Sequence, residues 1–121
     1  MTRCLLIDEE GRGRYLGEML SGLGLDTSLT SGADEAMRFC NDNSPDVVML
    51  SARANGSAPK EFVKRLRMAV RGKQPVVFLF AETPDTEMFG QSILEGAADV
   101  LMMPLDRDLL HFKLRQAGIA V

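Results

Sequence analysis

Four short apolar runs, Cys4–Ile7, Val47–Leu50, Val76–Ala81 and Val100–Met103, recur along the chain, with a weaker alternating one through Leu25, Thr27 and Leu29. Near-continuous runs of this length read as strands buried on both faces, the mark of a parallel sheet. The segments between them carry a 3.6-residue rhythm instead. Tyr15, Leu16, Met19, Leu20 and Leu23 form the first stripe, closed by Gly24. The second opens at Ser31 and carries Ala36, Met37 and Cys40, and the third carries Phe62, Val63, Leu66, Ala69 and Val70 and ends at Gly72. Met88, Phe89, Ser92, Ile93 and Gly96 mark the fourth, with Thr83 expected as its N-cap, Pro84 at N1, and Asp85 and Glu87 at the positive dipole end. The last starts near Asp106 and carries Leu109, Leu110, Phe112 and Leu114. Five strands each followed by a helix predict an α/β chain, (βα)5, with a parallel sheet covered on both faces. Five units cannot close an eight-stranded barrel, so the expected architecture is a flavodoxin-like doubly wound sheet in the order 2-1-3-4-5.

At 121 residues the chain fits one domain, 1–121. Its 14 basic and 17 acidic residues leave −3, with a pI near 5.1, which gives no electrostatic reason to expect direct nucleic-acid binding. Two cysteines, Cys4 and Cys40, are too few for a disulfide framework or a zinc cage. No apolar run is long enough for a signal peptide or a membrane span, so a cytoplasmic location with no membrane partner is expected. The small net charge conceals two blocks. Residues 60–73 carry six bases against Glu61, a local +5, and residues 82–99 carry five acids and no base, a local −5. Such runs are solvated faces or electrostatic docking surfaces.

In an open α/β sheet, ligands bind beyond the carboxyl ends of the strands, near the point where the strand order reverses. The first strand ends in Asp8, Glu9 and Glu10, the third in Leu50, Ser51 and Ala52, the fourth in Phe80 and Ala81, and the fifth in Met103 and Pro104. The turn after the first strand reads DEEGRGR. Its three acids repel a phosphate, and Gly11 and Gly13 read as loosening the start of the first helix. A flavin or dinucleotide site is not expected there.

LLIDEE (5–10), SPDVVML (44–50), PVVFLF (75–80) and GAADVLMMP (96–104) resemble, in order and spacing, the four strand motifs of the receiver domain of bacterial two-component response regulators. The last is the most specific, being similar to the family pattern GAxDYLxKP. The resemblance implies a chemistry of three cooperating groups. Two acids on the first strand and an aspartate ending the third hold Mg²⁺ and accept a phosphoryl group, a lysine before the last proline pairs with it, and a Thr or Ser on the fourth strand senses it. Carried over residue by residue, Asp8 and Glu9 match the acidic pair. Ser51 falls at the phosphoacceptor position, Phe80 at the switch position and Met103 at the lysine position, while Val100 stands where an aromatic is usual.

No Asp or Glu occurs from Val47 through Lys60, and Asp46 lies at the other end of the strand, about 16 Å from Ser51. ARANGSAP (52–59) replaces the usual Met-Pro. A serine hydroxyl is a weak nucleophile without a general base, and His111, the only histidine, lies in the last helix. The resemblance therefore implies a pseudo-receiver: not an enzyme, with no catalytic residues and no cofactor expected, while a residual, weakened Mg²⁺ site at Asp8 and Glu9 stays open. Arg53 is a candidate replacement charge over the acidic pair.

The expected function is a phosphorylation-independent protein-interaction module in two-component or phosphorelay signalling. Its partners would be a histidine kinase, a phosphotransferase, an output protein or a second copy in a homodimer. The surface the family generally uses, the fourth helix, fifth strand and fifth helix, includes Met88, Gln91, Glu95, Met102, Arg107 and His111. The chain stops soon after the last helix, which reads as a stand-alone regulator or part of a longer protein. Two alternatives stay open: a phosphorylatable regulator with a non-standard acceptor or metal site, and a small-molecule or nucleotide-binding flavodoxin-like module.

Overall fold

Each apolar run becomes a strand and each amphipathic segment a helix in a computed structural model that describes residues 1–8, 11, 13–52 and 58–121. The elements are β1 (Arg3–Ile7), α1 (Arg14–Gly22), β2 (Asp26–Thr30), α2 (Ala33–Asn43), β3 (Val47–Ser51), α3 (Pro59–Ala69), β4 (Val76–Ala81), α4 (Thr86–Glu95), β5 (Asp99–Met102) and α5 (Arg107–Gln116). The five strands pair in parallel in the order β2-β1-β3-β4-β5. This is the flavodoxin-like topology expected from the alternation. Among the described residues no helix is long and apolar enough to cross a membrane.

Because strand side chains alternate between faces, the sheet builds two cores. Cys4, Leu6, Val47, Met49, Phe78, Phe80 and Leu101 pack with Leu16 and Leu20 of α1 and with Leu110 and Leu114 of α5. Leu5, Ile7, Val48, Leu50, Val77 and Leu79 pack with α2 and α3 on the other face, and Met88 and Phe89 of α4 lean on that cluster. The central strands are buried except at one end residue each, Arg3, Ser51 and Val76, whereas β2 and β5, at the edges, expose Leu29 and Met102.

Several local expectations are corrected. Asp85, not Thr83, caps α4: its carboxylate Oδ1 accepts from the Met88 N–H at 3.1 Å. A charged cap also meets the positive helix end, worth about 1 kcal/mol, and Pro84 then lies outside the helix. Helix α2 starts at Ala33 with Gly32 as its cap, and the Ser31 hydroxyl instead donates to Glu35 Oε2 at 3.1 Å. On α5 only Leu110 and Leu114 are buried, because a helix of this length over one sheet face has room for a single stripe. Leu109 and Phe112 are exposed, as is Ile93 on α4. Tyr15 keeps its ring half in water with its hydroxyl donating to the Leu105 carbonyl at 3.0 Å. Strand β5 stops at Met102, one residue short of the apolar run.

Candidate functional site

The carboxyl ends of β1, β3 and β4 open into one cavity of about 350 Å³, roofed by the segment leading into α4. Asp8, Ser51, Phe80 and Met103, to which the resemblance assigns roles, all line it. The parallel register sets this. Ser51 ends β3 directly beside Phe80 of β4, and the ladder continues one step further through the Ala52 N–H on the Phe80 carbonyl and the Met103 N–H on the Ala81 carbonyl. The Met103–Pro104 peptide bond is cis.

Asp8 is buried, 5 % exposed, and its Oδ2 accepts the backbone N–H of Gly13 at the start of α1. A Cβ on Gly13 would lie 2.9 Å from that oxygen and 3.2 Å from Cζ of Phe80. Gly13 is therefore a matter of space, not of a loosened turn. Its φ of −88° is open to any residue, and only the absent side chain lets α1 close over Asp8 and Phe80.

The wall chemistry is one-sided. Phe80, Met88 and Met103 supply apolar surface, and Asp8, Glu82 and Asp85 supply carboxylates. Among the described residues lining the cavity there is no Lys, Arg or His. Among the described residues, a phosphoryl group placed here would meet the carboxylates of Asp8, Glu82 and Asp85 and no cation. Among the described residues no cluster of three or more His, Cys, Asp or Glu side chains could hold a metal ion, so the described carboxylates alone do not make the oxygen cage that Mg²⁺ needs. Glu9 and Arg53 lie outside the described residues.

Both cysteine thiols are buried away from the cavity. Burial pushes the Cys4 thiol up to about 12 and the Cys40 thiol up to about 11, so both stay protonated at neutral pH.

The six surface residues named from sequence do not share one face. Glu95 faces α3, pairing with Arg67 at 3.2 Å, and Gln91, one turn earlier, lies on the same flank. Arg107 donates to the Gly22 carbonyl of α1 at 3.0 Å, and half-buried His111, one turn later, follows it. Met88 is partly buried toward the second core and also lines the cavity. Only Met102 is exposed on the α4–β5–α5 face. The residues that do present apolar surface around it are Ile93, Leu109 and Phe112, with Leu94, 86 % exposed, at its outer margin. Sequence reasoning missed them by assigning the apolar residues of α4 and α5 to the core. The signal was available in α5, where Leu110 and Leu114 already fill the i, i+4 stripe and leave Leu109 and Phe112 off it.

No family model matches the chain, and no curated protein matches it. Solved structures do. A two-component response regulator from Clostridium difficile superposes with a TM-score of 0.84 at 19% identity over 96% of this chain and 94% of that one. A response-regulator signal receiver domain from Bermanella marisrubri gives 0.84 at 19%, over 96% and 98%. A CheY-like receiver domain protein from Methanospirillum hungatei JF-1 gives 0.84 at 14%, over 97% and 93%. At such identities the likeness is one of architecture: the chain has the flavodoxin-like, CheY-like fold of response-regulator receiver domains.

Proposed function

We propose that this domain is a signalling module that works by protein contact and without phosphoryl transfer. The observation that carries the reading is the single cavity in which Ser51, Phe80 and Met103 stand beside Asp8 with no described cation. Three linked functions are altered at once. Ser51 offers a hydroxyl in place of a carboxylate, and Met103 offers no ammonium to pair with a phosphate. Phe80, buried in the core, offers no hydroxyl to follow one. A side chain packed as Phe80 is cannot be drawn toward a ligand without emptying its own site, which favours a fixed surface over a switching one. With Asp8 engaged by the Gly13 N–H and no described cluster of metal ligands, Mg²⁺ has no part in this reading.

The contact surface in this reading is the α4–β5–α5 face, where Ile93, Met102, Leu109 and Phe112 expose apolar area beside the Lys113–Asp99 ion pair, 2.6 Å between Nζ and Oδ2. Neighbouring exposed apolar side chains of this kind mark protein-binding sites. The partner is a protein of the same signalling system. A histidine kinase, a phosphotransferase and an output protein are the classes to test.

Affinity capture from the source cells should recover the same partner with the wild-type chain and with Ser51→Ala. Ile93→Lys combined with Phe112→Lys should lose it, because both positions are exposed and neither change touches the core. Loss with Ser51→Ala and retention with the face variant would reverse the assignment. The small-molecule alternative is checked on the same protein by thermal shift with nucleotides and flavins, where no stabilisation is expected.

A further inference from the structure

We infer that the outer edge of β2 pairs antiparallel with the same edge of a second copy of this chain, joining the two sheets about a two-fold axis at Ser28. β2 ends the sheet, and its ladder with β1 fixes which backbone groups are already used. The Asp26 N–H donates to the Thr2 carbonyl at 2.8 Å, and the Asp8 N–H donates to the Thr30 carbonyl at 3.0 Å. Backbone groups alternate sides along a strand, so Asp26, Ser28 and Thr30 face β1. The N–H and C=O groups of Thr27 and Leu29 point outward, where no strand lies among the described residues. Open edges are commonly blunted by lysine, proline or a bulge. β2 has none of these: it reads DTSLT, keeps unbroken register with β1, and carries its single charge on its first residue, Asp26.

The side chains at this edge match the backbone. Thr27 and Leu29 stand in register with Cys4 and Leu6 and so lie on the α1 face, where Leu29 is 63 % exposed. Between them and α1 runs a groove of about 710 Å³, lined by Leu6, Gly17, Ser21, Thr27 and Leu29. Gly17 and Ser21 are small, which keeps the groove open beside β2. Arg14 and Glu18 on the same flank of α1 pair with one another at 3.7 Å, so that flank carries no net charge. On the other face α2 packs over β1, one strand in from the edge.

A two-fold axis normal to the sheet reverses the strand and preserves its faces, which is the geometry of antiparallel pairing. Thr27 then stands opposite Leu29 of the mate. Its N–H donates to that leucine's carbonyl and its carbonyl accepts the leucine N–H, and Leu29 does the same with Thr27 of the mate. Opposed residues share a face, so each Leu29 lies over the mate's Thr27 and against the mate's groove. Asp26 meets Thr30 of the mate, so no like charges oppose one another along the seam. Each copy supplies both the leucine and the groove that takes it. That reciprocity selects a second copy over an unrelated extended peptide as the occupant. Five residues a side make a small interface, so the dimer is weak and concentration-dependent. Backbone hydrogen bonds and apolar contact hold it, so it persists in about 0.5 M salt, where surface charges are screened. β2 and β5 are opposite edges of the sheet. The dimer therefore leaves Ile93, Met102, Leu109 and Phe112 uncovered and stands or falls separately from the partner contact proposed above.

Sedimentation velocity over a range of concentrations, with oxidative cross-linking, tests it. The wild-type chain should shift from monomer toward dimer as concentration rises, at low salt and in about 0.5 M salt alike. Leu29→Lys should weaken the dimer by about tenfold or more with the fold intact by circular dichroism, because the side chain is exposed in the single copy. Thr27→Pro should weaken it as well, since it removes an N–H that the β1 ladder does not use. Ser28→Cys should give a disulfide-linked dimer under mild oxidation, because the two Ser28 Cα atoms stand about 4.5 Å apart across the axis. Asp26→Cys, about 14 Å from its own copy, should not link. A monomer at every concentration overturns the inference. So does a dimer that keeps its strength with Leu29→Lys and loses it with Phe112→Lys, and so does a Ser28→Cys chain that dimerises without linking.

Discussion

Phe80→Ala is expected to lower the stability of the domain by about 3–5 kcal/mol, the range for removing a buried aromatic ring, and its melting temperature by about 10–20 °C. Phe80 is 4 % exposed and belongs to the cluster that joins Leu6, Met49 and Leu101 of the sheet to Leu16 of α1 and Leu110 of α5. It also floors the cavity at the strand ends. Its removal thus breaks the seal between the cavity and the core and leaves a void that the surrounding strands, held in register on both sides, cannot collapse to fill. Phe112→Ala is the matched control, because that ring is 58 % exposed and its loss should change stability by no more than about 0.5 kcal/mol. Urea or thermal unfolding of the two variants measures both. A cost below about 1 kcal/mol for Phe80→Ala would mean that the ring is not part of the core.

Gly13→Ala carries the second large effect, about 1–3 kcal/mol of destabilisation from overpacking. The added carbon would stand 2.9 Å from Asp8 Oδ2 and 3.2 Å from Phe80 Cζ. Neither neighbour can retreat cheaply. The carboxylate is buried and holds the Gly13 N–H, and the ring is wedged in the core. Gly22→Ala in the same helix is the contrast. Nothing lies within 4 Å of a Cβ there, so alanine should stabilise by up to about 1 kcal/mol through its helix propensity. If both substitutions stabilise, the close approach of α1 to Asp8 is not what the glycine serves.

Fold and site were unequally legible in the sequence. The parallel sheet was legible in Cys4–Ile7, Val47–Leu50 and Val76–Ala81, because near-continuous apolar runs have few homes other than the middle of such a sheet, and the order 2-1-3-4-5 in the alternation of five strands with five helices. The convergence of Asp8, Ser51, Phe80 and Met103 on one cavity was legible too, since strand ends in such a sheet share an edge. What did not read through was set by neighbours distant in sequence. Gly13 owes its identity to Phe80, which no local pattern reveals. Glu95 and Arg107 are turned to α3 and α1 by a guanidinium and a carbonyl that periodicity does not see. Leu109 and Phe112 looked like core because apolar residues usually are, yet Leu110 and Leu114 had already taken that place.

Intact-mass measurement of the wild-type chain and of Ser51→Asp, each incubated with acetyl phosphate and Mg²⁺, tests phosphorylation independence most directly. Both masses should stay unchanged: a serine hydroxyl is a weak nucleophile, and an aspartate restored at 51 would still face Phe80 and Met103 and no described cation in its cavity. A gain of one phosphoryl group on Ser51, or robust phosphorylation of the aspartate variant, would contradict it.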